Sequence, residues 1–338
     1  MPKTKKEKHP KEQLREYLKG DSYKEYVKIL KSVEIESVKK PFETLSSKNK
    51  PKLRTNTVLD DLLGVGGGIK AGKLVEFYGG YGSGKTQSIF ALIAEATQDG
   101  YVVLIDAEYT WEPERQMQIC KARGLDPEKL VKNFDLIQPE GYEEQLAKIL
   151  TLPSPMDLEL MGLPPLKLVA VDSLLALLND SRDFMGLAKL NLRSKIIRDM
   201  LHALRDVAKT HNCIVVFTNQ IYNAMNVAPN TPLWKREIGS GGPTVFHRPD
   251  IRLFFRRTTD PIRIARLMDS SELPAGERVF QINEKGIDDV AEKAAWMKKL
   301  EKVKQESPEE PSVEVENEVK GEEVKGKEIK GEAIEAEE

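Results

Sequence analysis

The glycine spacing between residues 79 and 86 is the feature that most constrains the fold. Gly79 and Gly84 are separated by four residues, and Lys85 and Thr86 follow at once, which satisfies the pattern G-x-x-x-x-G-K-S/T. Glycines permit positive φ angles, so the backbone N–H groups of such a loop can approach phosphate oxygens. The lysine is placed for β- and γ-phosphates and the threonine hydroxyl for Mg²⁺. The sequence therefore predicts a loop that binds ATP with Mg²⁺.

The segments on either side have the periodicity that this loop requires. Residues 74–78 are typical of a buried strand, and the apolar residues between Ile89 and Ala96 recur on one face of a helix. Strand, glycine loop and helix form the context of a true phosphate loop, which disfavours a chance match in a glycine-rich turn. We expect the nucleotide to contact nine consecutive residues: Gly79, Gly80, Tyr81, Gly82, Ser83, Gly84, Lys85, Thr86 and Gln87.

The rest of the core alternates predicted strands with predicted helices, which is typical of a mostly parallel sheet. The predicted strands cover 101–106, 135–137, 166–172 and 214–220. The predicted helices cover 114–123, 143–150 and 192–210. Three later strands, with antiparallel pairing, are predicted at 251–256, 262–268 and 278–282. The fold class is therefore α/β, a mostly parallel twisted sheet flanked by helices.

Charge divides the chain into regions. The net charge is −2, but residues 1–50 hold 14 Lys/Arg and 8 Asp/Glu, which gives +6, and residues 301–338 hold 6 Lys and 14 Glu, which gives −8. The tail has few large apolar residues, as disordered segments do. We predict a basic, partly helical N-terminal segment at 1–40, a linker at 41–52, an ATPase core at 53–290, a helix at 291–304 and an acidic disordered tail at 305–338.

Neither a membrane segment nor a disulfide is expected. No apolar run approaches the ~20 residues that a membrane helix needs. The two cysteines, Cys120 and Cys213, lie in apolar contexts without metal-site spacing, and we interpret both as reduced core residues. These features predict a cytoplasmic protein.

Polar residues at three strand ends complete the candidate ATP site. Asp172 ends a predicted strand and can hold Mg²⁺ through water, although a turn-capping role is the alternative. Glu108 follows another strand and can polarise the attacking water, while Asp106 is expected to support it. Gln220 ends the strand at 214–220 and can contact the γ-phosphate, or it can simply open the next loop.

Together these motifs resemble the RadA branch of the RecA/RadA recombinase family across residues ~53–290. The matching segments are 79–87, 105–108, 113–115, 171–173, 218–220, 263–270 and 273–274. The resemblance implies a RecA-type ATPase core, Mg-ATP as cofactor and a role in homologous recombination or its control. The candidate catalytic residues are Lys85, Glu108 and Gln220. The resemblance also implies that Glu108 is the catalytic glutamate, that Gln220 senses the γ-phosphate and that Arg115 contacts the adenine.

The parts that differ from this family concern assembly and DNA. Residues 1–50 lack the Gly-Val-Gly turns of the family's N-terminal domain, and Leu45 stands where the Phe-x-x-Ala assembly peptide has a small residue. The first DNA loop, at 179–192, has only two cations. The second, at 222–238, is polar. The candidate DNA contacts are Arg182, Lys189, Trp234, Lys235 and Arg236, with Trp234 either stacking on a base or packing on its own domain.

These departures predict a paralogue of the main recombinase that assists or regulates it. We expect DNA-dependent ATP hydrolysis, modest binding that prefers single-stranded DNA, contact with the main recombinase, and small oligomers at most. An ATP-controlled protein adaptor with weak DNA binding and no strand exchange is the alternative. A RecA-fold ATPase of signalling or clock type is disfavoured by the recombinase-like C-terminal half.

Overall fold

The computed structural model describes residues 50–181, 189–223 and 231–290. The predictions for the N-terminal segment, most of the linker, the C-terminal helix, the acidic tail and Arg182 lie outside these residues. Lys52, predicted as the last linker residue, is the first residue of a strand and pairs with Lys70.

The described residues form thirteen strands and ten helices. The strands are β1 (Lys52–Leu53), β2 (Ile69–Lys70), β3 (Leu74–Gly79), β4 (Tyr101–Asp106), β5 (Phe134–Ile137), β6 (Leu166–Asp172), β7 (Ile214–Asn219), β8 (Ile221–Asn223), β9 (Glu237–Gly239), β10 (Ile251–Arg257), β11 (Ile262–Ser270), β12 (Gly276–Asn283) and β13 (Gly286–Asp289). The helices are α1 (Asp60–Leu63), α2 (Lys85–Ala96), α3 (Pro113–Ala122), α4 (Pro127–Lys132), α5 (Tyr142–Leu150), α6 (Pro155–Leu160), α7 (Ala176–Asp180), α8 (Leu190–Thr210), α9 (Leu233–Arg236) and α10 (Pro243–Phe246).

Nine strands form one sheet in the order β13-β12-β11-β10-β3-β7-β6-β4-β5. The pairs from β10 to β5 are parallel. The pairs that join β10, β11, β12 and β13 are antiparallel. The predicted α/β class and the antiparallel extension are both confirmed. Because β3, β7, β6 and β4 are parallel, their carboxyl ends meet at one edge, where such sheets bind ligands.

Apolar side chains cover both faces of the parallel strands. On one face, α2 contributes Ile89 and Leu92 to a cluster of buried residues. On the other face, α8 contributes Ile197 and Leu201 to a second cluster. Each large apolar side chain buried in this way stabilises the fold by roughly 1.5–3 kcal/mol, which explains why β3, β4 and β7 are buried along their whole length.

Two further sequence predictions can be compared with this core. Cys120 and Cys213 are both buried and free, as predicted. Within the described ranges, no helix combines the length and apolar character needed to cross a membrane.

Candidate active site

The phosphate loop takes a backbone shape that requires glycine. Gly79 and Gly84 have φ angles of 155° and 104°. A Cβ atom at Gly79 would lie 2.1 Å from the carbonyl oxygen of Phe255, so no side chain fits there. α2 begins at Lys85, directly after the loop, and points its positive end at it. The predicted loop is therefore built for close approach of an anion.

Lys85 lies inside the cleft that this loop borders. Its amine donates hydrogen bonds to the carbonyl oxygens of Gly79 and Gly80, at 2.8 and 2.9 Å. Burial lowers the pKa of the Lys85 amine, and the negative charges of Asp172 and Glu108 oppose that shift. The cleft has a volume of about 510 Å³ and is lined by all nine predicted loop residues and by the three polar strand-end residues Glu108, Asp172 and Gln220.

Thr86 and Asp172, the two residues predicted to hold Mg²⁺, are in direct contact. The Thr86 hydroxyl donates a hydrogen bond of 2.7 Å to one carboxylate oxygen of Asp172. The Thr218 hydroxyl donates to the other oxygen. Burial raises the pKa of Asp172, and these two hydrogen bonds oppose the rise. A hydroxyl and a carboxylate are hard oxygen donors, and Mg²⁺ binds through one or two carboxylates together with substrate phosphates, so the pair fits Mg-ATP.

Glu108 and Gln220 are in direct contact. The Gln220 amide nitrogen lies 3.1 Å from a carboxylate oxygen of Glu108. Asp106, expected to have a supporting or capping role, lies at the end of β4, and its carboxylate accepts the backbone N–H groups of Thr110 and Trp111 at 3.2 and 3.0 Å. These bonds shape the loop that carries Glu108. The structure thus brings the predicted water-polarising and sensing groups together.

Arg115 is held beside the phosphate loop rather than in its cleft. Its Nε atom donates to the side-chain oxygen of Gln87 at 3.0 Å, and a terminal nitrogen donates to the carbonyl oxygen of Asn283 at 2.7 Å. The guanidinium is therefore tied to the last residue of the phosphate loop. Its contact with adenine stays a prediction.

Comparison with known proteins decides the family. The Rad51 family model matches residues 52–290, which is more than half of the chain. This chain belongs to the Rad51 family. It is also 32% identical over 253 residues to the DNA repair and recombination protein RadA of Aeropyrum pernix, an alignment that covers 72% of this chain and 75% of that protein. The resemblance to RadA and the RecA-type fold are thereby confirmed.

One residue of this Rad51-family site was missed at the sequence level. Arg263 is buried and lines the nucleotide cleft. Its Nε atom donates to the carbonyl oxygen of Gly82 at 2.7 Å, and its guanidinium lies 2.8 Å from Asp260. The sequence signal that could have identified Arg263 is a single arginine inside the otherwise apolar segment from Ile262 to Ala265. The guanidinium braces the phosphate loop from β11.

The candidate DNA contacts lie on separate segments. Lys189 is exposed directly before α8. Trp234, Lys235 and Arg236 belong to α9, between the paired strands β8 and β9. The ring of Trp234 lies 4.2 Å from the guanidinium carbon of Arg266 and 5.1 Å from the Lys235 amine. This arrangement favours the alternative in which Trp234 packs on its own domain, and base stacking stays a prediction.

A larger cleft of about 820 Å³ lies elsewhere, beside the glycine loop at Gly64–Gly67. Two of its charged residues, Arg278 and Asp61, form an ion pair of 3.0 Å. It contains none of the predicted catalytic groups. The predicted catalytic groups all line the smaller cleft, which is therefore the candidate ATP site.

Proposed function

We propose that this Rad51-family chain is a Mg-dependent ATPase that binds DNA, prefers single strands, and acts in homologous recombination as a paralogue that assists or regulates the main recombinase. The observation that carries the proposal is the contact of 3.1 Å between Gln220 and Glu108, beside the bonded pair of Thr86 and Asp172. Members of the family are DNA-dependent ATPases, and all the polar groups that such chemistry needs converge on one cleft.

Each residue then has a defined task. The loop from Gly79 to Gln87 cradles the phosphates, and Lys85 neutralises charge on the β- and γ-phosphates. Thr86 and Asp172 would hold Mg²⁺, which when bound neutralises charge that develops on the phosphate oxygens. Glu108 polarises the attacking water and orients it towards the γ-phosphate. Gln220 contacts the γ-phosphate and transmits its presence to β8, the strand that follows it.

DNA dependence follows from where Gln220 lies in the chain. It stands between β7, which borders the nucleotide cleft, and β8, which opens the hairpin containing α9. A change at the γ-phosphate therefore reaches the second DNA loop through one continuous segment. Lys189, Lys235 and Arg236 are few cations for a DNA surface, and they support modest affinity rather than tight binding.

The proposal is tested by steady-state ATP hydrolysis with and without Mg²⁺ and single-stranded DNA. The wild type should hydrolyse ATP only with Mg²⁺, and single-stranded DNA should raise the rate. Lys85→Ala should abolish tight ATP binding, because the buried amine and its charge are removed. Hydrolysis that persists in Lys85→Ala would show that the assigned cleft is not the catalytic one.

The ATP-controlled adaptor remains a second candidate, and the packing of Trp234 against Arg266 favours it, because that contact occupies the one aromatic ring proposed for base stacking. Light scattering after size exclusion, with Mg-ATP and with or without single-stranded DNA, separates the two proposals. A DNA-binding ATPase should comigrate with the DNA. An adaptor, whose DNA binding is weak, should leave most of the DNA unbound and instead form an ATP-dependent complex with the main recombinase.

A further inference from the structure

A buried carboxylate in the centre of the sheet has no role in the chemistry described so far. Glu76 lies in the middle of β3, and its side chain is fully buried. Its two oxygens accept hydrogen bonds from different partners, Arg252 Nε at 2.5 Å and Asn219 Nδ2 at 2.8 Å. Burying a charge is costly unless it is paired and hydrogen-bonded. The buried carboxylate of Glu76 therefore requires that Arg252 and Asn219 keep both of its oxygens hydrogen-bonded.

Arg252, the ion-pair partner of Glu76, also contacts several other residues. It lies beside Glu76 in the register of the parallel pair β3 and β10. Its guanidinium carbon lies 4.9 Å from the ring centre of Tyr78 and 4.7 Å from that of Phe246. Two aromatic faces and one carboxylate thus hold the cation. The ion pair is thus a densely contacted point on β3, the strand that ends at Gly79, where the phosphate loop begins.

Asn219 connects the buried pair of Glu76 and Arg252 to the base of the second DNA loop. The amide nitrogen that donates to Glu76 also lies 2.8 Å from the carbonyl oxygen of Ser240. The backbone N–H of Ser240 donates to the carbonyl oxygen of Gln220 at 2.8 Å. A Cβ atom at Gly239 would lie 3.3 Å from both Asn219 Nδ2 and the Glu76 oxygen. The strand that returns from the loop is therefore packed directly on the buried pair.

The base of the second DNA loop also holds the segment that carries Gln220, the residue whose side chain contacts Glu108. Strands β8 and β9 are antiparallel, with Ile221 opposite Gly239, and they enclose the loop between them. Gln220 stands between Asn219 and Ile221, and its side chain reaches Glu108. Neither Glu76 nor Asn219 lines the nucleotide cleft. Hydrogen bonds thus connect Glu76, Asn219, Ser240 and Gln220 in one continuous path.

We propose that Glu76 and Asn219 are positioning residues that couple the base of the second DNA loop to the Gln220–Glu108 pair, so that DNA bound at the loop alters ATP hydrolysis. The inference rests on the proposed function, because it presumes hydrolysis that DNA stimulates. A purely structural role would lower stability and leave the ratio of stimulated to basal hydrolysis unchanged. That ratio is therefore the decisive readout.

Asn219→Ala is the sharpest variant, because it removes the link to Ser240 and leaves the ion pair of Glu76 and Arg252 in place. Asn133→Ala is a matched control, since Asn133 is also buried and donates a hydrogen bond of 2.8 Å to the carbonyl oxygen of Thr97, a contact that joins the C-terminal ends of α4 and α2. In Asn219→Ala, the KM for ATP should stay near wild type, because Asn219 does not line the nucleotide cleft. Stimulation by single-stranded DNA should fall about 2- to 10-fold, as removal of a buried hydrogen bond implies.

A second variant keeps the inference testable if Asn219→Ala does not fold. Gly239→Ala retains every hydrogen-bonding group but pushes β9 away from Glu76, so it should also lower the stimulation ratio, while Asn133→Ala keeps it. If the wild type is stimulated and both loop-base variants are stimulated equally, the coupling is wrong and the proposed function stands. If DNA does not change the wild-type rate, the proposed DNA-dependent function fails, and the coupling fails with it.

Discussion

The side-chain amide of Gln220 donates a hydrogen bond to the Glu108 carboxylate across 3.1 Å, although 112 positions separate the two residues in the chain. They follow β7 and β4, and β6 lies between those two strands in the sheet. The contact unites the proposed water-polarising group with the strand that leads to the second DNA loop. The residues proposed for nucleotide chemistry and those proposed for DNA contact are therefore linked through a single short segment.

The bond between Thr86 and Asp172 predicts how Mg²⁺ dependence will respond to mutation. Thr86→Val keeps the side-chain shape but removes the hydroxyl that lies 2.7 Å from the carboxylate. Because a hydrogen bond to a charged group contributes about 1.5–3 kcal/mol, hydrolysis should fall by roughly tenfold or more. Thr86→Ser, which keeps the hydroxyl, should stay near wild type. Equal Mg²⁺ titration curves for the valine and serine variants would contradict the assignment.

The cations of α9 predict a salt-dependent weakening of DNA binding on mutation. Lys235→Ala with Arg236→Ala should lower single-strand affinity and reduce the slope of log K against log salt by about 0.7 for each phosphate that is no longer neutralised. Fluorescence anisotropy at several salt concentrations measures both quantities. Lys129→Ala with Lys132→Ala, at the end of α4, is the matched control and should change neither. An unchanged slope in the α9 variant would show that this helix does not contact DNA.

The leucine at position 45 leads us to predict that the protein forms monomers or short assemblies rather than long filaments. Phe42 and Leu45 lie outside the described residues, and the prediction rests on the Phe-x-x-Ala peptide of the family that this chain resembles. Overpacking a tight pocket costs ~1–3 kcal/mol, which is roughly a 5- to 150-fold loss of affinity at each joint. Negative-stain microscopy with Mg-ATP and single-stranded DNA should show monomers or small oligomers, and Leu45→Ala should lengthen them. Long regular filaments of the wild type would refute the prediction.

Glu272 predicts a pH-dependent contribution to stability. Burial alone would raise the pKa of its carboxyl, but hydrogen bonds and charges from Lys70 and Lys73, at 2.7 and 2.9 Å, hold the pKa below its ordinary value of 4.5. A carboxyl with a lowered folded-state pKa stabilises the protein above the unfolded-state pKa and loses that effect as the pH falls through the folded-state value.

Glu272→Gln should therefore lower the free energy of unfolding at pH 7 by about 1 kcal/mol or less, as is usual for a partly exposed pair. The difference from wild type should shrink as the pH falls below 4.5. Urea titrations from pH 7 to well below pH 4.5 measure it, with the exposed Glu159→Gln as control. A difference that is independent of pH would mean that the charge of Glu272 is not responsible.

Local signals predicted most of the core. Strands β4 and β6 begin and end at the predicted residues, because continuous apolar runs bounded by polar residues define buried parallel strands. Six short helices, α1, α4, α6, α7, α9 and α10, were not predicted, although two of them carry clear start signals. α4 follows Asp126, whose side chain accepts the N–H of Glu128, and α6 follows Ser154, which forms a capping box with Asp157. In both, proline occupies the first helical position.

Contacts between distant parts of the chain could not be predicted. The loop spacing and strand ends located Lys85, Glu108 and Asp172, because those signals are local. The pairing of Glu76 with Asn219 joins residues 143 positions apart, and it depends on the order of strands in the sheet. The packing of Trp234 on Arg266 likewise depends on how the hairpin folds over β11.

The most direct test of the ATP site compares ATP binding and hydrolysis in wild type and Glu108→Gln under the same conditions. The substitution keeps the size of the side chain and an acceptor for Gln220, but it removes the charge that polarises the attacking water. Binding of Mg-ATP should remain close to wild type, and hydrolysis should fall by about 10²-fold or more, as removal of a positioned general base implies. Undiminished hydrolysis by Glu108→Gln would show that another residue activates the water and would overturn the assignment.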